Sequence, residues 1–378
     1  MRIHRELDSL GLLVGTIIGA GMFVLPYATA QAGIVWAGIY LVVVTVLMFF
    51  LHTLYGEAVY ILDGNHRLPG YARLHLGRTS SYLATFSLFF GFIAALLAYG
   101  ILGGEFLHVL ARAGDASYYV FAFFIIGAFG LLLNLERIGW IAFLLTIPLV
   151  FFILVLAALA FPHIEWTRIP IMNNAKWFLP YGIFLFATSG VSTIPEIAQV
   201  LQKKQGRVFE KIVLLSGGLV AFLYAVFIVS VVGVTGAGTT TEAVEGLVES
   251  LGPSVVIIGA LIGFLAVARA YLAIGLDFRN TLMYDFSVTK ARAWVMVVTL
   301  PVGLYMMGAK NLIDIISTAG GIMGGLDAIV ILLLAIHVRK HKTHPRGFIP
   351  VGILVPKILI AVFVVGIFYQ VLYALGAV

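Results

Sequence analysis

Apolar residues fall along this chain in long unbroken runs, without the narrow apolar stripe that marks a helix lying on a water-soluble core. Ile34 to Phe50 reads IVWAGIYLVVVTVLMFF and carries no charge. Runs of about 18 or more such residues predict helices that cross a bilayer. Eleven are predicted, near Ser9–Gln31, Ile34–Leu62, Tyr82–Leu110, Tyr118–Leu133, Gly139–Phe161, Phe178–Leu201, Val208–Val234, Val255–Tyr284, Ala293–Met307, Leu312–Val338 and Ile349–Leu375 (spans one to eleven). Between spans seven and eight, Thr239–Leu251 is polar and acidic and predicts a short surface helix. No soluble stretch is long enough to form a second domain, so 1–378 reads as one all-α transmembrane domain.

Two spans break the pattern. Span one, LVGTIIGAGMFVLPYATAQAG, holds Gly15, Gly19, Gly21, Gly33 and Pro26. Each helical glycine costs about 0.8–1 kcal/mol against alanine, and proline about 3. Span six, FLPYGIFLFATSGVSTIPEIAQVL, mixes glycine, hydroxyl residues and proline between Ala187 and Pro195. Aligned on Pro26 and Pro195, both have a glycine five residues earlier, Gly21 and Gly190. Broken helices five spans apart are the signature of a transporter built from two inverted repeats. Unwound backbone within a membrane is tolerated where it lines a cavity and its polar groups find partners. A zwitterion is such a partner: helix N-termini favour its carboxylate, freed carbonyls accept from its ammonium, and glycine admits close approach. Gly15-x3-Gly19 alone would also fit simple helix packing.

Composition strengthens the membrane reading. The chain is 62% apolar and 11% charged, against roughly 45–50% and 25% in a soluble domain. It has no cysteine, which excludes disulfides and thiolate-bound metals. A net charge of +6 is no sign of nucleic-acid binding here, because the basic residues sit in short loops, as membrane topology demands. No nucleic-acid partner is expected. With the N-terminus in the cytoplasm, the inner segments take most of the lysine and arginine, including Arg2, Arg5, Arg67, Arg73, Arg78, Arg137, Lys203, Lys204, Arg207, Lys342 and Arg346. The outer segments hold Arg112, Arg168, Lys176 and Lys310. Eleven spans then put the C-terminus outside the cell membrane. Arg2, Arg5 and Ala28–Ala30 also mimic a cleaved secretory signal, but such a signal has no use for Gly19, Gly21 and Pro26.

The segments GTIIGAGMFVLP, LYGEAVYIL, LPGYARLHLGR and LDFRNTLMYD resemble the amino acid–polyamine–organocation superfamily. Within it they look most like the branch of amino acid/auxin and aromatic amino acid permeases. The resemblance covers essentially the whole chain. It implies the leucine-transporter-type fold: inverted repeats at about 9–161 and 178–338, discontinuous spans one and six, and an extra helix at about 349–375. Carried over by position, the substrate carboxylate meets the amides of Gly19, Ala20 and Gly21. Its amine meets carbonyls of Thr16 and Ile17, and of Phe186 and Ala187, with Thr188 and Ser189 beside them. In span six the sequence departs from the branch's usual pattern.

Arg269 stands midway along span eight, where an arginine costs about 2.5–3.5 kcal/mol or more and needs an internal partner. In the resemblance, Arg269 and Ala270 replace a hydroxyl pair that helps bind sodium in sodium-coupled relatives. A guanidinium with five donors is therefore expected on the carbonyls near Gly15 and Ile18, as a surrogate for the cation. Among the other ionisable residues, Glu196 is the candidate proton-titrating group. Glu57 reads as structural ahead of a role in an inner gate, Glu105 as vestibule-lining or snorkelling, and His52 as a packing histidine ahead of a proton carrier. Phe184 and Phe186 are the aromatics expected to line a pocket.

There is no Walker-type loop for ATP, and the Asp-Pro-Gly and Met-Pro-His pairings of metal-ion relatives are absent. Neither cofactor nor metal is expected. Two short breaks do not make a continuous polar pore, and no nucleophile cluster suggests an enzyme. The sequence thus predicts a secondary carrier for a neutral amino acid, aromatic or bulky and apolar. Transport is expected to be sodium-independent, proton-coupled or by exchange, with a sodium-coupled symporter as the alternative.

Overall fold

The computed structural model describes residues 2–62, 64, 66–132, 138–201, 206–284, 286–341, 348 and 350–377, and the side chains of these except 2–4 and 138–146. Arg137, Lys203, Lys204, Lys342 and Arg346 lie outside the described residues, as do the expected span ends at Leu133 and Ile349. Among the described residues the chain is all helix and no strand. Seven helices are long and apolar enough to cross a membrane: Ile34–Ile61, Arg78–Ala111, Leu179–Val200, Gly206–Gly238, Pro253–Tyr284, Leu312–His341 and Leu354–Ala374. An eighth is the pair Arg5–Ile17 and Ala20–Ala32, bent by 42°. Ala116–Leu132, Ile138–Ala160 and Lys290–Met306 occupy the places of spans four, five and nine. This is a multi-pass membrane protein, and each apolar run corresponds to a helix or a broken pair.

Spans one and six form the centre. Span seven packs on spans one and two, span eight lies along span three, and span six is held between spans two and ten. Close approach is bought with small residues, as in membrane bundles generally: Cβ atoms at Gly103 and Gly104 would run into Phe123 and Val120 of span four. We call the side of Arg5 proximal and the side of Gly33 distal. At the distal side, Gly33 turns the chain at φ +92°. There the 162–177 loop is stitched on, through Ile34 N–H to Pro170 O at 2.8 Å and Asn173 N–H to Ala32 O at 2.8 Å.

Three elements depart from the sequence reading. Thr239–Leu251 is not one surface helix but a 3-10 turn, Glu245–Leu247, and one helical turn, Val248–Leu251. Thr239, Glu242, Ala243, Val244 and Leu247 are buried, because Glu242 takes hydrogen bonds from Thr240 and Glu245 and folds the segment inward. Leu68–His75, started by Pro69, forms a short helix between spans two and three. Span ten contains a π-turn at Ala319–Gly324. Such turns recur at functional sites.

Candidate functional site

The helix of span one, Arg2–Ile17, ends where its glycines begin. Gly19 is extended (φ −139°), a 3-10 turn follows at Ala20–Val24, and Pro26 opens the second half, Leu25–Ala32. Span six does the same. Its helix Leu179–Thr188 stops at Ser189, which is extended, and resumes at Ile194 with Pro195 in its first turn. The freed groups are capped locally: Gly190 N–H donates to His52 Nε2 at 3.3 Å and Thr193 Oγ to Gly190 O at 2.8 Å. An accepting Nε2 is unprotonated, so this buried His52 is a cap on the break, more than the packing residue expected.

The two breaks face each other. A Cβ at Gly21 would stand 2.8 Å from Ala187 Cα, so only glycine permits this approach. Tyr224 of span seven joins them: its hydroxyl lies 2.8 Å from both Ile17 O and Ala187 O. It has one proton to donate, and the two carbonyls share it. On the other flank, Arg269 Nη2 donates to Gly15 O at 2.8 Å and Ile18 O at 3.0 Å. A positive charge from span eight thereby sits on the freed carbonyls of span one. Among the described residues no three His, Asp or Glu side chains come together to hold a metal ion.

Other expected site residues are distributed around this junction. Gly19, Ala20 and Gly21 are buried, whereas Thr16 and Ser189 are exposed. Phe186 is half-buried and meets Tyr99 of span three at 6.0 Å between ring centroids, while Phe184 is wholly buried. Two positions apart on a helix, they point to opposite faces, so Phe184 does not join Phe186 at the opening. Thr188 donates to Phe184 O at 2.7 Å and lines a niche with Thr45 and His52 of span two.

Above the breaks lies an aromatic cluster. Phe23 packs edge-on against Phe106 and Phe227, with centroids at 4.9 and 5.9 Å. Beyond them opens a distal recess of about 340 Å³ lined by Tyr27, Glu105, His108, Glu242 and Glu245. Below the breaks Thr16, Ser189, Ser192 and Glu196 are exposed, as is Ala273 between Arg269 and Asp277 on span eight. On the same side Arg67 forms a two-pronged pair with Asp277 (2.8 and 3.0 Å), within electrostatic reach of Glu196. Glu57 is buried in an ion pair with Arg339 of span ten, which clamps two helices together.

Sequence reasoning missed Tyr99, Tyr224, the Arg67–Asp277 pair and the role of His52. Tyr99 and Tyr224 are single tyrosines in apolar runs, and nothing local marks the Tyr224 hydroxyl as one that reaches a carbonyl two hundred residues away. Asp277 could have been found as a carboxylate two turns beyond Arg269 on one helical face.

The tryptophan/tyrosine permease family matches the chain over residues 3–372. No curated protein sequence matches it. Among solved structures it is similar to MhsT, crystallised in complex with L-phenylalanine. The TM-score is 0.71 at 13% identity, over 96% of this chain and 98% of that one. At that identity the likeness is one of fold.

Proposed function

The chain belongs to the tryptophan/tyrosine permease family, and from that premise we propose that it carries a neutral amino acid with an aromatic or bulky apolar side chain. Transport proceeds across the cell membrane by alternating access, without sodium, coupled to protons or to exchange. The two halves, 9–161 and 178–338, act as inverted repeats, and the helix from about 349 to 375 is an addition. By the charge bias of the loops, the proximal side is cytoplasmic and the C-terminus lies outside.

The observation that carries this reading is Arg269. Its guanidinium occupies the Gly15 and Ile18 carbonyls that would otherwise call for a cation beside the break. A fixed charge braces spans one and eight with no ion to bind or release. The substrate carboxylate then meets the amides of Gly19, Ala20 and Gly21, and its amine the carbonyls of Thr16, Ile17, Phe186 and Ala187. The side chain extends toward Tyr99 and Phe186. No carboxylate or lysine lies in the central turns of spans one, three and six to offset a charged side chain. That MhsT was crystallised with L-phenylalanine supports the substrate class.

The test is uptake by proteoliposomes with sodium replaced by choline, with a competition panel and the variant Arg269→Ala. Uptake should persist without sodium, aromatic competitors should displace the label, and Arg269→Ala should lower transport about tenfold, the equivalent of roughly 1.4 kcal/mol. Strict sodium dependence, a preference for arginine, lysine or glutamate, or unaltered transport by the alanine variant would overturn it.

A further inference from the structure

Just beyond the π-turn of span ten stands Asp327, a carboxylate that the site described above does not use. It lies midway along Leu312–His341, at the depth where an ionisable side chain is a functional candidate. Its Oδ1 accepts a hydrogen bond from Ser87 Oγ of span three, and Ser87 is wholly buried.

This pair has two satisfied states. Ser87 Oγ also lies 3.2 Å from Ala84 O on its own helix, and a hydroxyl has one proton to donate and lone pairs to accept with. With Asp327 ionised, Ser87 donates to the carboxylate. With Asp327 protonated, the carboxyl donates to Ser87 Oγ and the serine proton turns to Ala84 O. Ser87 therefore keeps a hydrogen-bond partner whether a proton is gained or lost, and its buried hydroxyl is never left an orphaned donor.

The surroundings point one way. Span two offers Tyr55, buried and in electrostatic contact with Asp327, Tyr71 and Arg67. The helix Leu68–His75 offers Tyr71, whose hydroxyl donates to Gly64 O at 3.0 Å. Arg67 follows, paired with Asp277 and within electrostatic reach of Glu196 on the proximal side. Span eleven brings Gln370 against Gly321 and Ile367 against Gly325 of span ten. On span ten itself His337 meets the His75 ring of the Leu68–His75 helix at 5.9 Å between centroids, and Arg339 beyond it is held by Glu57. Polar groups therefore lead from Asp327 to the proximal face.

Asp327 shares its span with a contact to the helix that leads into the break of span six. The π-turn just before it brings Gly320 against Gly182 O and Phe186 N, so displacement of span ten is felt at Phe186. We propose that Asp327 binds the transported proton, that Ser87 is its hydrogen-bond partner in both protonation states, and that Tyr55, Tyr71 and Arg67 line its route to the proximal face. The chemistry is proton transfer alone: water on one side supplies the proton and water on the other receives it. This rests on the proton-coupled reading above.

The test is uptake by proteoliposomes of the whole protein under an imposed pH gradient, with counterflow of labelled substrate measured at several pH values without a gradient. One pH unit can sustain about tenfold accumulation at one proton per substrate. The wild type should accumulate to that order. Asp327→Asn should fall to equilibration while counterflow continues and loses its pH dependence, and Asp327→Glu should recover part of the accumulation. Wild-type accumulation by Asp327→Asn overturns the proposal. So does loss of counterflow together with accumulation in both Asp327 variants, since Asp327 is then structural. Glu196→Gln losing accumulation while Asp327→Asn keeps it assigns the proton to Glu196 and overturns it as well. Wild-type uptake indifferent to the pH gradient sinks the proton-coupled reading itself, which is a distinct result.

Discussion

A methyl group means two different things at Gly19 and Gly21. At Gly21 a Cβ would meet Ala187 Cα at 2.8 Å, Ala187 Cβ at 3.1 Å and the Phe186 ring at 3.3 Å. Backbone cannot give way, so spans one and six must part, and overpacking of this kind costs about 1–3 kcal/mol. At Gly19 the same atom meets only Thr16 O at 3.8 Å and Arg269 Nη2 at 4.0 Å. Its φ of −139° suits any residue. The fold therefore accepts alanine at Gly19, and whatever is lost there is lost by the ligand. Gly19→Ala should hold its stability within about 0.5 kcal/mol and bind substrate about tenfold more weakly. Gly21→Val should lose both. Thermal unfolding and equilibrium binding on the two variants check this, and unchanged affinity in Gly19→Ala would remove the substrate from that amide.

Where two elements meet, the constraint becomes mutual. Span six and the π-turn of span ten touch through backbone, since a Cβ at Gly320 would strike Gly182 O and come within 2.7 Å of Phe186 N. Gly320→Ala should cost about 1–3 kcal/mol by overpacking and impair transport. Gly303→Ala, in a span-nine helix with nothing within 4 Å of the added atom, should gain about 0.5–1 kcal/mol from the helix entropy of alanine. Melting of both variants measures the contrast, and equal behaviour would mean that the contact between spans six and ten does not matter. The sequence AGGIMGG at Ala319–Gly325 was in plain view, yet it reads as ordinary helix packing. Whether a glycine packs, turns or bulges depends on the neighbour it meets. The breaks in spans one and six were legible because glycine and proline oppose helix wherever they stand. Arg269 was legible because an arginine at that depth needs carbonyls or a carboxylate. Tyr224 and His52 were not, because a hydroxyl or an imidazole in an apolar run carries no record of a partner far along the chain. The inward fold of Thr239–Leu251 was hidden behind its acidity, which Glu242 spends on local hydrogen bonds instead of on solvent.

The whole molecule is lopsided along its axis. On the distal side Phe23 is locked to Phe106 and Phe227, each aromatic contact contributing about 0.5–1.5 kcal/mol beyond burial. On the proximal side Thr16, Ser189, Ser192 and Glu196 are open, and the half-exposed Arg67–Asp277 pair stands on the same side. Exposed ion pairs are worth about 0–1 kcal/mol, so this pair is a contact that can form and break cheaply. A carrier needs a second state with the asymmetry reversed, and a ligand shifts the balance only by its differential affinity for the two. The protein suits a direct test of this, because it has no cysteine of its own. A single Ser192→Cys should react with a membrane-impermeant maleimide in inside-out vesicles and stay silent in right-side-out ones. Thr241→Cys, in the distal recess, should do the opposite. Substrate bound at the breaks should slow labelling of Ser192→Cys, since Ser192 lies within the break of span six. Labelling of Ser192→Cys from the outside alone would reverse the proposed orientation. Equal labelling from both sides would mean that Phe23, Phe106 and Phe227 do not seal the path, and that the protein works as a pore.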